Sequence, residues 1–149
     1  MANYLYDTAR ERFLKPGLRT TVANGQAASD SINWSEDNIK MMLIDTTNHP
    51  EDATDEFLSD VAASGIIKTS GNLGSKTTTD GVALAANVVL DSVTGVNCEA
   101  IIIYKDTGGA DTTCPLIAWI DDATGLPILP NGADIDVIWD TGANGIFKL

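Results

Sequence analysis

The sequence is poor in the residue types on which most enzyme active sites depend. Its 149 residues include one histidine, His49, and two cysteines, Cys98 and Cys114. The cysteines lack Cys-x-x-Cys spacing and a nearby histidine, so neither a zinc site nor a redox pair is predicted. The glycine-rich stretch 71–77 lacks the spacing of a phosphate-binding Walker loop. We therefore expect a protein that is not an enzyme and needs no cofactor, with His49 in a surface loop.

Basic residues are also scarce. Nine lysines and arginines stand against 21 aspartates and glutamates, which gives a formal net charge of −12. Nucleic-acid binding needs basic side chains that neutralise phosphates, so DNA and RNA are not expected partners. No apolar run is long enough to cross a membrane, and no membrane partner is expected. The first seven residues lack the basic and apolar regions of a signal peptide, which favours folding in the cytoplasm.

The few basic residues are unevenly distributed. Four of the nine lie in residues 1–19 against two acids, Asp7 and Glu11, so this end carries +2 and leaves −14 on the remainder. A helix over residues 8–15 is predicted behind an Asp7 cap, followed by an extended stretch at 18–35. We divide the chain into an N-terminal arm, 1–35, and a β domain, 36–149.

The arm has the composition of a segment that binds a neighbouring surface, and we expect it to contribute more to assembly than to stability. The alternative is a solvated end with no partner. The candidate partner-binding residues are Arg10, Arg12, Phe13, Lys15, Arg19 and Trp34.

The rest of the chain is dominated by short runs of β-branched and aromatic residues. Two of them, 97–105 and 114–121, flank a glycine-rich break and predict a hairpin. A third, 134–139, alternates apolar residues with aspartate, which predicts a half-buried strand that completes an antiparallel meander. Further strands are predicted at 38–45, 66–69 and 82–90.

These runs and the turns between them predict a mainly β fold, an antiparallel β sandwich or barrel with one or two short helices and an extended N-terminal arm. The second short helix is expected around Phe57, Leu58 and Val61. The hairpin places the two thiols roughly 20 Å apart, so we expect free, buried cysteines.

Two residue groups admit more than one interpretation. The three tryptophans, Trp34, Trp119 and Trp139, are interpreted as core or interface anchors, with a sugar-stacking platform as the alternative. The turn aspartates supply the oxygen ligands that calcium prefers, but no EF-hand spacing is present, so turn and surface roles are the better interpretation.

Several segments together resemble a family of small virion structural proteins of tailed bacteriophages. They include Leu-Tyr-Asp-Thr-Ala-Arg-Glu-Arg-Phe-Leu at 5–14 and Trp-Asp-Thr-Gly-Ala-Asn-Gly-Ile-Phe-Lys-Leu at 139–149. The stretch 16–31 is longer than the family usually has. The other segments with this resemblance are 32–34, 38–45, 79–83, 99–106 and 125–127.

The resemblance implies a virion protein that decorates or cements the head, bound to the major capsid protein on the capsid surface after synthesis in the host cytoplasm. It carries no active site across, and an oligomer is expected. A tail adaptor or fibre-associated protein and a carbohydrate- or receptor-binding β domain remain alternatives. Copy number separates head from tail, and burial of Trp119 and Trp139 would argue against the sugar-binding alternative.

Overall fold

The computed structural model describes residues 3–14 and 31–149 and has one α-helix, α1, at Asp7–Leu14 within those ranges. Short 3-10 turns occupy Leu58–Asp60, Ala63–Gly65 and Asp111–Thr113. The strands in chain order are β1 Tyr4–Leu5, β2 Ile39–Ile44, β3 Ile66–Thr69, β4 Thr77–Thr79, β5 Val82–Leu84, β6 Val88–Leu90, β7 Ala100–Lys105, β8 Leu116–Ile120, β9 Ile135–Val137 and β10 Phe147–Lys148.

A five-stranded antiparallel sheet in the order β1-β8-β7-β2-β3 forms the first layer. Its central strand β7 is buried along its whole length, and β2 is buried at all but one position. Strands covered on both faces need apolar side chains in both directions, which the sequences Ile-Lys-Met-Met-Leu-Ile and Ala-Ile-Ile-Ile-Tyr-Lys supply. Ile102 pairs with Met42 on one side and with Trp119 on the other, and all three are buried.

Two smaller antiparallel sheets, β6-β9 and β10-β5-β4, form the second layer of a sandwich-like fold. Leu90 and Ala83 from these sheets, and Trp139 just after β9, belong to the same buried cluster as the first layer. The mainly β, antiparallel fold predicted from the sequence is therefore confirmed. No helix of the described residues has the length and apolar character that a bilayer span requires.

The β7–β8 hairpin, β3 and the short N-terminal helix are confirmed, although the helix starts at Asp7 itself and is not capped by it. Two predicted strand arrangements are wrong. The run 82–90 is not one strand, because residues 85–87 leave the ladder: Ala86 N–H donates to the Gly74 carbonyl, and Asn87 Oδ1 accepts the N–H of Trp139. The predicted meander does not form either, since β9 pairs with β6 and not with β8. The helix expected near Phe57 is replaced by two 3-10 turns.

The N-terminal segment belongs to the fold, which corrects the expected division at residue 35. Strand β1 pairs with β8, with Tyr4 opposite Trp119. Asn3 ties this end down further, because its Oδ1 accepts the N–H groups of Asp121 and Asp122. The physical reason is burial, since Tyr6 and Ala9 enter the core. Residues 15–30, which include most of the extended stretch predicted at 18–35, lie outside the described residues.

Candidate functional site

A groove of ≈ 940 Å³ lies beside the last strands of the chain. Its floor is one face of the first layer, where Leu43, Ile101 and Ile120 stand side by side across β2, β7 and β8. Leu5 and Ala118 continue this apolar floor toward β1. Ligand and partner grooves are commonly concave and largely apolar in this way.

One wall of the groove is the segment 135–140, of which every residue lines the cavity. Successive side chains of a strand point to opposite faces, so a lining made of consecutive residues indicates that the edge of the strand faces the groove. Strand β9 pairs with β6 alone among the described residues. The groove therefore runs along an open strand edge.

The rim of the groove exposes large apolar side chains. Leu14 is 78 % exposed, Ile138 is 75 % exposed and Leu149 is 56 % exposed, and all three line the groove. Ile138 follows the half-buried Val137 and points away from the core, as expected from strand alternation. Scattered exposed apolar residues are ordinary, but several around one concavity mark an interaction surface.

The charge around the groove is mainly negative. Residues 121–140 contain five aspartates and no lysine or arginine. Asp122, Asp136 and Asp140 line the groove, while Arg10 and Lys148 are the basic residues of the lining. The Arg10 guanidinium is already 2.7 Å from the Asp7 carboxylate. The side of β9 therefore favours a partner with basic side chains.

Of the six residues predicted to bind a partner, Arg10 lies on the groove. Arg12 is buried, with Nη2 2.6 Å from Glu56 Oε1 and its guanidinium 4.8 Å from the centre of the Phe57 ring. The face of α1 that carries Arg12 packs on the core, so Arg12 is an internal residue. A direct role of Arg12 in partner binding is therefore not supported. Lys15 and Arg19 lie outside the described residues.

The two aromatic residues of that prediction also face inward. Trp34 is buried, and its Nε1 donates a hydrogen bond of 2.9 Å to the Leu84 carbonyl. The Trp34 ring meets the Phe147 ring edge-on, with 5.0 Å between the ring centroids. The Phe13 ring packs against the Phe147 ring, with 5.7 Å between the centroids. Phe13 is half-buried, so these aromatic residues attach the N-terminal segment to β10. Trp119 and Trp139 are buried as well, as predicted.

A second polar cluster surrounds His49, which is buried and not on the surface as expected. The loop that carries His49 folds inward because the His49 N–H donates to the Asp45 carbonyl and Gly65 packs against the Cβ atom of His49. His49 Nδ1 accepts the N–H of Ala62 at 3.4 Å, and Nε2 lies 3.3 Å from Asp55 Oδ2.

Burial changes the titration of this pair. It lowers the pKa of His49, although the neighbouring Asp52 carboxylate opposes that change. Burial, with help from the nearby carboxylates of Asp52 and Asp60, raises the pKa of Asp55 to about 6. The His49–Asp55 pair consequently has a charge state that depends on pH close to neutrality.

The described residues contain no group of three or more histidine, cysteine, aspartate or glutamate side chains that could hold a metal ion. Cys98 and Cys114 are free and buried, as predicted. Burial raises the pKa of the Cys98 thiol to about 11, which keeps it protonated and unreactive.

The groove was not found from the sequence, although part of its signal is present there. The alternation at 134–139 identifies a half-buried strand, and Ile138 breaks the alternation of apolar and acidic residues by standing on the same side as Asp136. An exposed isoleucine beside aspartate is the one local indication of an interaction surface.

No protein-family model matches the chain, and a comparison with curated protein sequences gives no match either.

Proposed function

We propose that the chain is a non-enzymatic structural protein of a tailed-bacteriophage virion, which binds and stabilises the lattice of the major capsid protein as a decoration or cement protein. The observation that carries this proposal is the apolar groove along the open edge of β9, with Ile138 75 % exposed at its rim. Such a surface suits a protein partner. The resemblance of segments 5–14 and 139–149 to virion proteins supports the major capsid protein as that partner.

The physical character of the chain agrees with this role. A net charge of −12 keeps the free protein soluble before assembly. A capsid presents the same binding surface many times, so a groove of modest affinity holds many copies when they also contact one another. The contact with the capsid is assigned to the groove and to Arg10 beside it, and the oligomeric state remains a prediction that sedimentation of the purified chain would test.

A tail-associated adaptor or fibre protein is the second candidate, since the same groove would equally bind a tail subunit. The two differ in copy number, because a head lattice offers on the order of hundreds of equivalent sites and avidity requires such repetition. Burial of Trp119 and Trp139 argues against a sugar-binding platform, which needs exposed aromatic faces.

Quantitative gel densitometry of purified particles that carry the chain tests the proposal. We expect a copy number comparable with that of the major capsid protein, and we expect particles without the chain to release their genome at a lower temperature. A few copies per particle would assign the chain to the tail. Absence of the chain from purified particles would overturn a virion role.

A further inference from the structure

The second layer of the sandwich is narrower than the first on the side of β9. The first layer has five strands, whereas β9 pairs with β6 alone within residues 3–14 and 31–149. The outward edge of a strand presents backbone N–H and C=O groups in the spacing that another strand needs. An open edge of this kind is a template on which an extended peptide adds as a new strand.

The surface next to this edge suits the side chains of an added strand. Leu43, Ile101 and Ile120 form an apolar strip across the first layer, and it lines the same groove as β9. A strand added to β9 would lie over this strip, with alternate side chains directed at it. The exposed side chain of Ile138 lies at the rim, where it would contact the same strand.

The acidic residues that line the groove determine which charged residues should flank the apolar part of such a segment. Asp122, Asp136 and Asp140 line the groove, and the stretch 121–140 holds no lysine or arginine. Exposed charges of one sign attract the opposite sign and disfavour like charges on an incoming chain. Lysine or arginine beside the apolar residues of the incoming strand therefore complements this wall.

We propose that the groove takes an extended, apolar segment of a partner protein, flanked by lysine or arginine, which pairs with β9 as an added strand. This deepens the proposed function, and the identity of the partner as a capsid subunit rests on that function. The strand-binding chemistry of the groove depends on the residues of this chain alone.

A synthetic peptide tests the proposal against the full-length chain. The probe alternates valine and threonine over six residues, carries one lysine at each end, and is labelled for fluorescence anisotropy. We expect saturable binding, and a matched peptide with glutamate at both ends should bind at least about tenfold more weakly, equivalent to about 1.4 kcal/mol. A matched peptide with alternate residues replaced by proline should not bind, because proline cannot donate to the ladder.

Two pairs of variants locate the binding site. Ile138→Asp should weaken probe binding at least about tenfold, whereas Leu129→Asp, at a residue that is 68 % exposed outside the groove, should not. Asp136→Lys should weaken binding several-fold, while Asp91→Lys, outside the groove, should leave it unchanged. Amide hydrogen exchange should show new protection at residues 135–140 when the probe is bound.

Several outcomes would overturn the proposal. These are no saturable binding of the probe, equal effects of the groove variants and their controls, or new protection at another strand edge such as β4. Self-association of the chain that Ile138→Asp abolishes would assign the groove to a second copy. If Ile138→Asp chains still decorate particles in normal number, strand addition at this groove fails while the proposed function stands.

Discussion

Asp55 Oδ2 lies 3.3 Å from Nε2 of His49, and the two side chains are 12 % and 6 % exposed. Because Nδ1 of the imidazole accepts the N–H of Ala62, a neutral His49 carries its proton on Nε2, the nitrogen nearer this carboxylate. The contact joins the loop after β2 to the segment before the first 3-10 turn. Its burial makes the stability of this region depend on pH.

The pH dependence has a defined sign at Asp55. The pKa of Asp55 is raised from 3.8 to about 6, so between these values the unfolded chain ionises while the folded chain keeps the proton. Stability conferred by this group is thus present below pH 4 and is lost as the pH rises through about 6, by up to about 3 kcal/mol. Asp55→Asn removes this ionisation, so the variant should gain stability relative to the natural chain as the pH rises from 4 to 7.

Urea denaturation of both chains at several pH values measures this difference. Asp106→Asn serves as a control of opposite sign, because Lys40 and the N–H of Gly108 lower the pKa of Asp106. That variant should lose stability relative to the natural chain over the range in which Asp106 ionises. A constant difference between Asp55→Asn and the natural chain across pH 4 to 7 would contradict the account of Asp55.

Gly65 is required by close packing. A Cβ at this position would lie 2.5 Å from the His49 Cβ and 3.0 Å from the His49 nitrogen, so the loop would have to shift. We expect Gly65→Ala to lower the free energy of unfolding by about 1–3 kcal/mol, as overpacking typically does. Gly71→Ala is the matched control, since nothing lies within 4 Å of its added carbon, and it should change stability by less than about 0.5 kcal/mol. Equal effects in chemical denaturation would show that the loop accommodates the methyl group.

Ile102 lies at the centre of the first layer and has no exposed surface. Ile102→Ala should cost about 2–5 kcal/mol, because it removes buried apolar atoms and leaves a cavity between β2 and β8. Val96→Ala, at a side chain that is 52 % exposed, should cost far less. The midpoints of chemical denaturation compare the two, and an unchanged midpoint for Ile102→Ala would be incompatible with the packing described.

Arg12 tests whether the N-terminal helix stabilises the fold. Replacing it by alanine removes the contacts with Glu56 and Phe57, and Glu56 is 39 % exposed, so water re-solvates much of its carboxylate. We expect a loss of about 1–3 kcal/mol. Arg10→Ala, which removes an exposed ion pair with Asp7, should cost no more than about 0.5 kcal/mol. If both variants lose equally little unfolding free energy in urea denaturation, α1 contributes little to the stability of the fold, as expected of a separate arm.

The elements predicted from the sequence are those that local pattern specifies. Strands β7 and β8 are contiguous β-branched runs joined by a short glycine-rich break, so their pairing follows from neighbouring residues. The place of the helix was predicted because its start is signalled locally, although Asp7 is the first helical residue and not the cap. The break at 85–87 is different, since it depends on a hydrogen bond between Asn87 and Trp139, 52 positions apart.

The candidate site was harder to predict because it depends on an edge of β9 that pairs with no other strand of the described residues. The run 134–139 identifies a strand but does not say that β6 is its partner or that its second edge borders a groove. The cluster of basic residues predicted that Arg12 binds a partner. Composition, however, does not distinguish a side chain that reaches solvent from one that packs over a phenylalanine ring. His49 is a similar case, since its burial depends on the packing of Gly65 against it.

The pairing of β1 with β8 links completion of the first sheet to protein synthesis. Tyr4 leaves the ribosome 115 residues before its partner Trp119. At ordinary elongation speeds the nascent chain waits on the order of ten seconds for that partner. During this interval Leu5 and Tyr6 have no sheet to cover them and are available to chaperones. A chain whose synthesis stops before β8 keeps Leu5 and Tyr6 uncovered, so exposed apolar residues at this end distinguish incomplete chains from finished ones.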